Sequence, residues 1–201
     1  MAYVTPGTVA AGDVATAAAW NVITNDVIDH ESRINDVALY HIATNTFSAA
    51  SSTSFVSLLT STYANYRVIC QFTSVSGAAG IAYMKLRSGA TDISANYSYG
   101  GWLVEASGTA NISQATGGVN GFYVSTIYSG YAGAAASFDL IGPQLASNTE
   151  FMNIGGSNYS NTRLEIYGGL HSGATAYDGI TIYASVGTLT GTARLYGYQN
   201  S

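Results

Sequence analysis

Charge is scarce in this sequence. Asp, Glu, Lys and Arg make up 8% of its 201 residues, against about a quarter of an ordinary soluble domain. A surface so poorly charged suits a subunit of an assembly better than a free monomer, which relies on charge to stay soluble. Lys85 is the only lysine, and six basic residues face eleven acidic ones, a net charge of −5. No basic cluster could neutralise several phosphates at once, so nucleic-acid binding is not expected. Cys70 is the only cysteine, which excludes an internal disulfide and leaves the redox compartment open. With no apolar run near 18 residues and no basic-then-apolar leader, neither membrane insertion nor a signal peptide is expected.

Hydrophobic residues are plentiful at 47%, with 23 Gly and 16 Tyr. The length suits one sizeable domain plus a short accessory segment, enough to bury a core without disulfides or metals. Three regions separate. Residues 1–12 carry Pro6, Gly7 and Gly12 without periodicity and read as an extended arm. Residues 13–43 read as a helical stalk, capped by Asp13 or Thr16. Within it Trp20, Ile23, Val27, His30, Ile34, Val37 and His41 alternate at spacings of three and four. A stripe this narrow fits a parallel coiled coil, and β-branched residues at both seam positions favour a trimer over a dimer. The same stripe would also serve an amphipathic helix lying on its own domain.

Residues 44–201 read as strands and turns. Val68, Cys70 and Phe72 share one face, which makes Cys70 a buried, inert thiol rather than a nucleophile. Ala82, Met84 and Leu86 alternate with Tyr83, Lys85 and Arg87. Phe122 with Val124, Phe138 with Leu140, Leu164 with Ile166, and Ile180 with Ile182 repeat the pattern. Turn signals separate the runs at Ser76-Gly77, Ser88-Gly89, Gly100-Gly101, Gly117-Gly118, Gly142-Pro143, Gly155-Gly156, Gly168-Gly169, Asp178-Gly179 and Gly187. About eight to ten strands spaced this way predict an antiparallel β-sandwich or jelly roll. The stretch from Asn96 to Gly121, poor in alternation, is expected to form long loops, where binding usually resides.

No catalytic or metal-binding set is expected. Glycan cleavage needs paired carboxylates, and Asp92, Glu105, Asp139, Glu150, Glu165 and Asp178 are scattered singly over the β region. No Gly-x-Ser-x-Gly elbow occurs. His171 lacks a neighbouring cysteine or histidine and reads as a hydrogen-bonded loop residue, and no cofactor is implied. His30 would place three imidazoles in one layer of a trimeric stalk. It is read either as a polar layer fixing register, or as an axial ion or water site that acid protonation would strain. The composition also offers candidate glycan contacts in Tyr97, Tyr99, Trp102, Asn111 and Gln114, with Tyr128 and Tyr131 beyond. The plainer alternative places Trp102 and several of these tyrosines at the edge of the sandwich or in a trimer seam.

Several strings resemble bacteriophage virion fibre proteins. Thr16-Ala-Ala-Ala-Trp-Asn21 followed by a short heptad helix is similar to the start of many tail and fibre proteins. Phe72 to Tyr99 resembles their heads, as do Phe138-Asp-Leu-Ile-Gly-Pro143 and Gly187-Thr-Leu-Thr-Gly-Thr-Ala-Arg-Leu-Tyr-Gly197. The resemblance implies a non-enzymatic homotrimer on the virion exterior, assembled in the host cytoplasm. It also implies a jelly-roll-like head and an arm holding other virion proteins. Two roles share that architecture: a tail fibre that holds a host-surface glycan, and a capsid head-fibre or decoration protein with no receptor. A glycan-cleaving tailspike is the enzymatic rival.

Overall fold

The computed structural model describes residues 39–77, 79–129, 133–158 and 162–199, together with Asn21 and Asn25. The predicted arm lies outside the described residues, as do Trp20, Ile23, Val27, His30, Ile34, Val37 and Tyr131. The chain divides into two units, Met1–Val37 and Ala38–Ser201, and every described strand belongs to the second.

That unit is mainly β and antiparallel. In chain order its strands are β1 (Leu39–Ala50), β2 (Ser52–Phe55), β3 (Asn65–Val75), β4 (Ala79–Ser88), β5 (Thr91–Asp92), β6 (Tyr97–Glu105) and β7 (Ala110–Val119). There follow β8 (Phe122–Tyr128), β9 (Ala134–Ile141), β10 (Thr149–Asn158), β11 (Thr162–His171), β12 (Gly179–Ala184) and β13 (Leu189–Tyr198). One sheet has eight strands in the order β1-β13-β3-β9-β10-β11-β6-β7. The other runs β2-β12-β4-β5, with β8 also paired to β4.

The inward faces of both sheets supply one buried cluster. Val68, Cys70 and Phe72 of β3, Phe138 and Leu140 of β9, and Leu195 of β13 meet Met84 and Leu86 of β4, Phe122 and Val124 of β8, and Ile180 and Ile182 of β12. Burial pushes the Cys70 thiol far above its ordinary range, so it is not ionised at neutral pH. Strand β8 is buried along Phe122–Ile127. It pairs with β4 and also packs on β3, β6, β9, β10 and β11, so the alternation of Phe122 and Val124 with Tyr123 and Ser125 does not divide core from solvent.

Three expectations need correction. The stalk was predicted to run to residue 43, but Leu39–Ala50 is a strand, and His41 lies opposite Tyr196 of β13 with the two rings edge-on at 5.4 Å. Tyr, Ile, Thr and Phe in this segment favour a sheet, and the ladder to β13 prevails over seven-residue spacing. The expected loop over 96–121 is instead the hairpin of β6 and β7. Apart from the buried Tyr97 its two faces are half-buried and exposed, and the exposed face itself carries Trp102, Val104 and Ile112, so the strands form without an apolar-in, polar-out alternation. The third correction concerns the paired glycines.

Gly100-Gly101, Gly155-Gly156 and Gly168-Gly169, predicted as turns, lie inside β6, β10 and β11, as Gly117-Gly118 lies inside β7. Two of these glycines let aromatic rings press onto the sheet. A Cβ at Gly169 would come within 2.7 Å of the Phe122 ring, and one at Gly101 within 2.4 Å of Tyr167 and 2.2 Å of the Ile166 carbonyl. Glycine inside a strand marks such close approach. Among the predicted turns, those at Gly77, Gly89, Gly142 and Gly187 do have positive φ.

Candidate interaction surface

The five candidate glycan residues do not form one site. Tyr97 is fully buried; its hydroxyl accepts from the Leu86 N–H at 2.8 Å and donates to the Ile93 carbonyl at 3.1 Å. It is a core residue that ties β6 to β4. Tyr99 is half-buried against Tyr123 and Tyr167, and Asn111, exposed, lies opposite Leu103. Trp102 and Gln114 instead occupy the outer face of the long sheet. Tyr128 ends β8 beneath the Arg163 guanidinium, 5.2 Å from the ring centre.

That outer face is the most distinctive surface described. Register carries one row of side chains across all eight strands: Thr44, Arg194, Ile69, Ser137, Ile154, Ile166, Trp102 and Ile112. Beside it runs Tyr196, Arg67, Asp139, Met152, Gly168, Gly100 and Gln114. The face therefore has two halves. Over β13, β3 and β9 it is polar, with Arg67 donating to Asp139 at 2.8 and 2.7 Å and the Tyr198 hydroxyl donating to the same carboxylate at 2.7 Å. Over β10, β11, β6 and β7 it is apolar and open: Ile112 is 77% exposed, Trp102 62%, Met152 61% and Ile154 61%, with Leu164, Ile166, Val104 and Leu170 exposed beside them.

Sequence reasoning missed Ile112, Met152 and Ile154 and gave Leu164 and Ile166 no distinct role. Period two shows that Leu164 and Ile166 share a face but not which side is buried. The intervening Glu165 and Tyr167 are the inward pair, at 0% and 2% exposure. The available signal was that alternation read in the opposite phase.

Inside, Glu165 is held by neutral partners. Its carboxylate accepts from the Tyr123 hydroxyl at 3.0 Å, the Thr126 N–H at 3.1 Å and the Ser157 hydroxyl at 3.3 Å. Burial and then the Glu165 charge push the Tyr123 hydroxyl far up. The remaining carboxylates are scattered. Asp92 pairs with Arg87, Glu105 with Arg163 and Asp139 with Arg67. Asp178 accepts from the Gly89 N–H at 2.9 Å, and Glu150 lies opposite Leu170 on the outer face. Among the described residues no three His, Cys, Asp or Glu side chains gather as a metal site.

His171 ends β11 in a closed pocket. Its Nε2–H donates to the Ala95 carbonyl at 3.0 Å, while Nδ1 accepts from the Gly173 N–H at 3.2 Å and the Tyr177 hydroxyl at 3.3 Å. The rings of Tyr97 and Tyr177 close over it. Protonation would put a hydrogen on Nδ1, facing two donors, and burial lowers the pKa from its ordinary 6.5. The unfolded chain therefore takes up the proton first. Stability is complete above about pH 6.5 and is lost as pH falls toward the folded value. Thermal melts between pH 7 and pH 5 should show a steeper loss for the native chain than for His171→Gln; equal slopes would contradict this.

Compared with protein-family models, curated proteins and solved structures, the chain matches none.

Proposed function

We propose that this chain is a structural subunit of a bacteriophage virion, a homotrimeric fibre displayed on the particle exterior whose work is assembly rather than catalysis. The observation that supports assembly is the nearly uncharged apolar face over β10, β11, β6 and β7, on a chain with little charge elsewhere, and the virion assignment rests on the sequence resemblance. Exposed apolar area of this kind marks contact with another macromolecule. The seven-residue stripe from Trp20 to Val37 supports a trimeric stalk, with the arm over 1–12 anchoring it to other virion proteins.

Strand order supports a jelly-roll head. Without the inserted strands, the sheets reduce to β1-β13-β3-β9 and β2-β12-β4-β8, successive strands alternating between sheets except for the paired β4 and β8, as in two Greek keys. The hairpin β6–β7 and the pair β10–β11 are then insertions that widen one sheet beyond β9. Against catalysis, most of the carboxylates in the head are engaged by partners within the framework.

Between the two display roles, the surroundings of Trp102 favour a capsid fibre or decoration protein without a receptor. Glycans are held by aromatic faces together with amides and hydroxyls, and here one indole and Gln114 sit among aliphatic side chains. Gold-labelled antibody against the chain should decorate the outside of particles at regular positions, and particles lacking the chain would overturn the proposal. A glycan array probed with the intact protein should stay silent; a consistent hit would restore the tail-fibre role.

A further inference from the structure

We propose that the outer face of β10, β11, β6 and β7 is where the heads of neighbouring copies of this chain pack together. This rests on the reading of the chain as a self-assembling fibre subunit and assigns the head a second contact besides the stalk.

Charge selects the occupant. The described outward positions here are Ser98, Gly100, Trp102 and Val104 on β6, Ile112 and Gln114 on β7, Met152 and Ile154 on β10, and Leu164, Ile166, Gly168 and Leu170 on β11. Beside them only Glu150 of β10, at the rim, ionises. With no basic residue, the face has nothing to hold a nucleic acid or an anionic membrane surface. A second copy of a chain with net charge −5 meets itself with least local repulsion where charge is missing, and this half of the sheet supplies that condition. The polar half, with Arg194, Arg67 and Asp139, does not.

The free edge points the same way. β7 pairs with β6 alone among the described strands, and its ten residues Ala110–Val119 include no charge and no proline. Edges left open to solvent are normally blunted by lysine, proline or a bulge that turns them away. β7 carries such an irregularity between Ala115 and Val119, opposite Tyr99 and Tyr97, but Ala110–Ala115 pairs in regular register beside the apolar patch, so one contact would cover both.

Size fits a second copy. The eight apolar residues are between 36% and 77% exposed, and at roughly 200 Å² for a whole residue of this kind they present on the order of 800 Å² of accessible surface, about one side of a standard interface. Tethering through the stalk would raise the effective concentration of the heads further.

The test places one reporter thiol in the intact chain, at Ile112→Cys or, as control, at Val186→Cys. Both positions are exposed in a single head, at 77% and 60%, so neither substitution disturbs the core. Native Cys70 is buried and gives no background. Maleimide labelling and light scattering are read on the same samples. The expected result is a multimer in which position 112 reacts at least about tenfold more slowly than position 186. A multimer with equal rates overturns the head contact and leaves the fibre reading standing on the stalk. A single-chain mass with equal rates overturns both. Protection of position 112 within a single chain assigns the face to the chain's own remaining segment and overturns the proposal. So does protection that arises only when host polysaccharide is added.

Discussion

Replacing Phe122 by alanine should destabilise the head by about 3–5 kcal/mol, the usual loss for a fully buried aromatic. Its ring is at 0% exposure, stacked on Phe151 with centroids 4.6 Å apart and planes 1° apart, and edge-on to Tyr97 at 4.9 Å. Gly169 closes over it so tightly that a methyl group there would collide with the ring. Phe151 cannot swing in to refill the space, since it is itself braced by Phe138 at 5.3 Å. Chemical denaturation should show the loss directly, and the melting temperature should fall by roughly 6–20 °C for a domain of this size. A change under about 1 kcal/mol would mean that β8 does not join the two sheets as described.

The second large effect concerns assembly. Under the proposed trimeric stalk, Val27→Asp should dissociate the assembly, because it would bring three carboxylates together in the proposed apolar seam. Leaving charge unpaired there costs about 3 kcal/mol or more, roughly a hundredfold in the assembly constant. At micromolar concentration the variant should run as a single chain by light scattering while circular dichroism still reports the β-rich head. An intact trimer would show that this stripe packs elsewhere, on the chain's own domain.

The strand faces legible in the sequence were those buried on one side only. Val68, Cys70 and Phe72 alternate cleanly with exposed residues because β3 has solvent on its other side, and Ala82, Met84 and Leu86 of β4 alternate with the half-buried Tyr83, Lys85 and Arg87. Strand β8 hid its arrangement because the widened sheet covers its second face as well. The hairpin of β6 and β7 read as loop for the opposite reason: beyond Tyr97 its inward side is only half-buried and its outward side carries Trp102, Val104 and Ile112, so the pleat is not matched by an alternation of apolar and polar residues. The paired glycines misled because a turn is only one use for a missing Cβ. At Gly101 and Gly169 the use is room for an aromatic ring, and that requirement comes from residues far away in sequence.

The candidate surface was legible only in part. Trp102 and Gln114 stand on it, but they had been grouped with Tyr97, which secures the core, and with Tyr99 and Asn111, which do not belong to that face. What makes the surface is the lateral row from Ile154 through Ile166 and Trp102 to Ile112. Its members come from two strand pairs, β6–β7 and β10–β11, that are separated in the chain, and only the register of pairing brings them into line.

Self-association is the property from which the other functional claims follow, and the mass of the intact protein in solution tests it most directly. Light scattering at working concentration should return three chains per particle. A mass of one chain would contradict the fibre assignment.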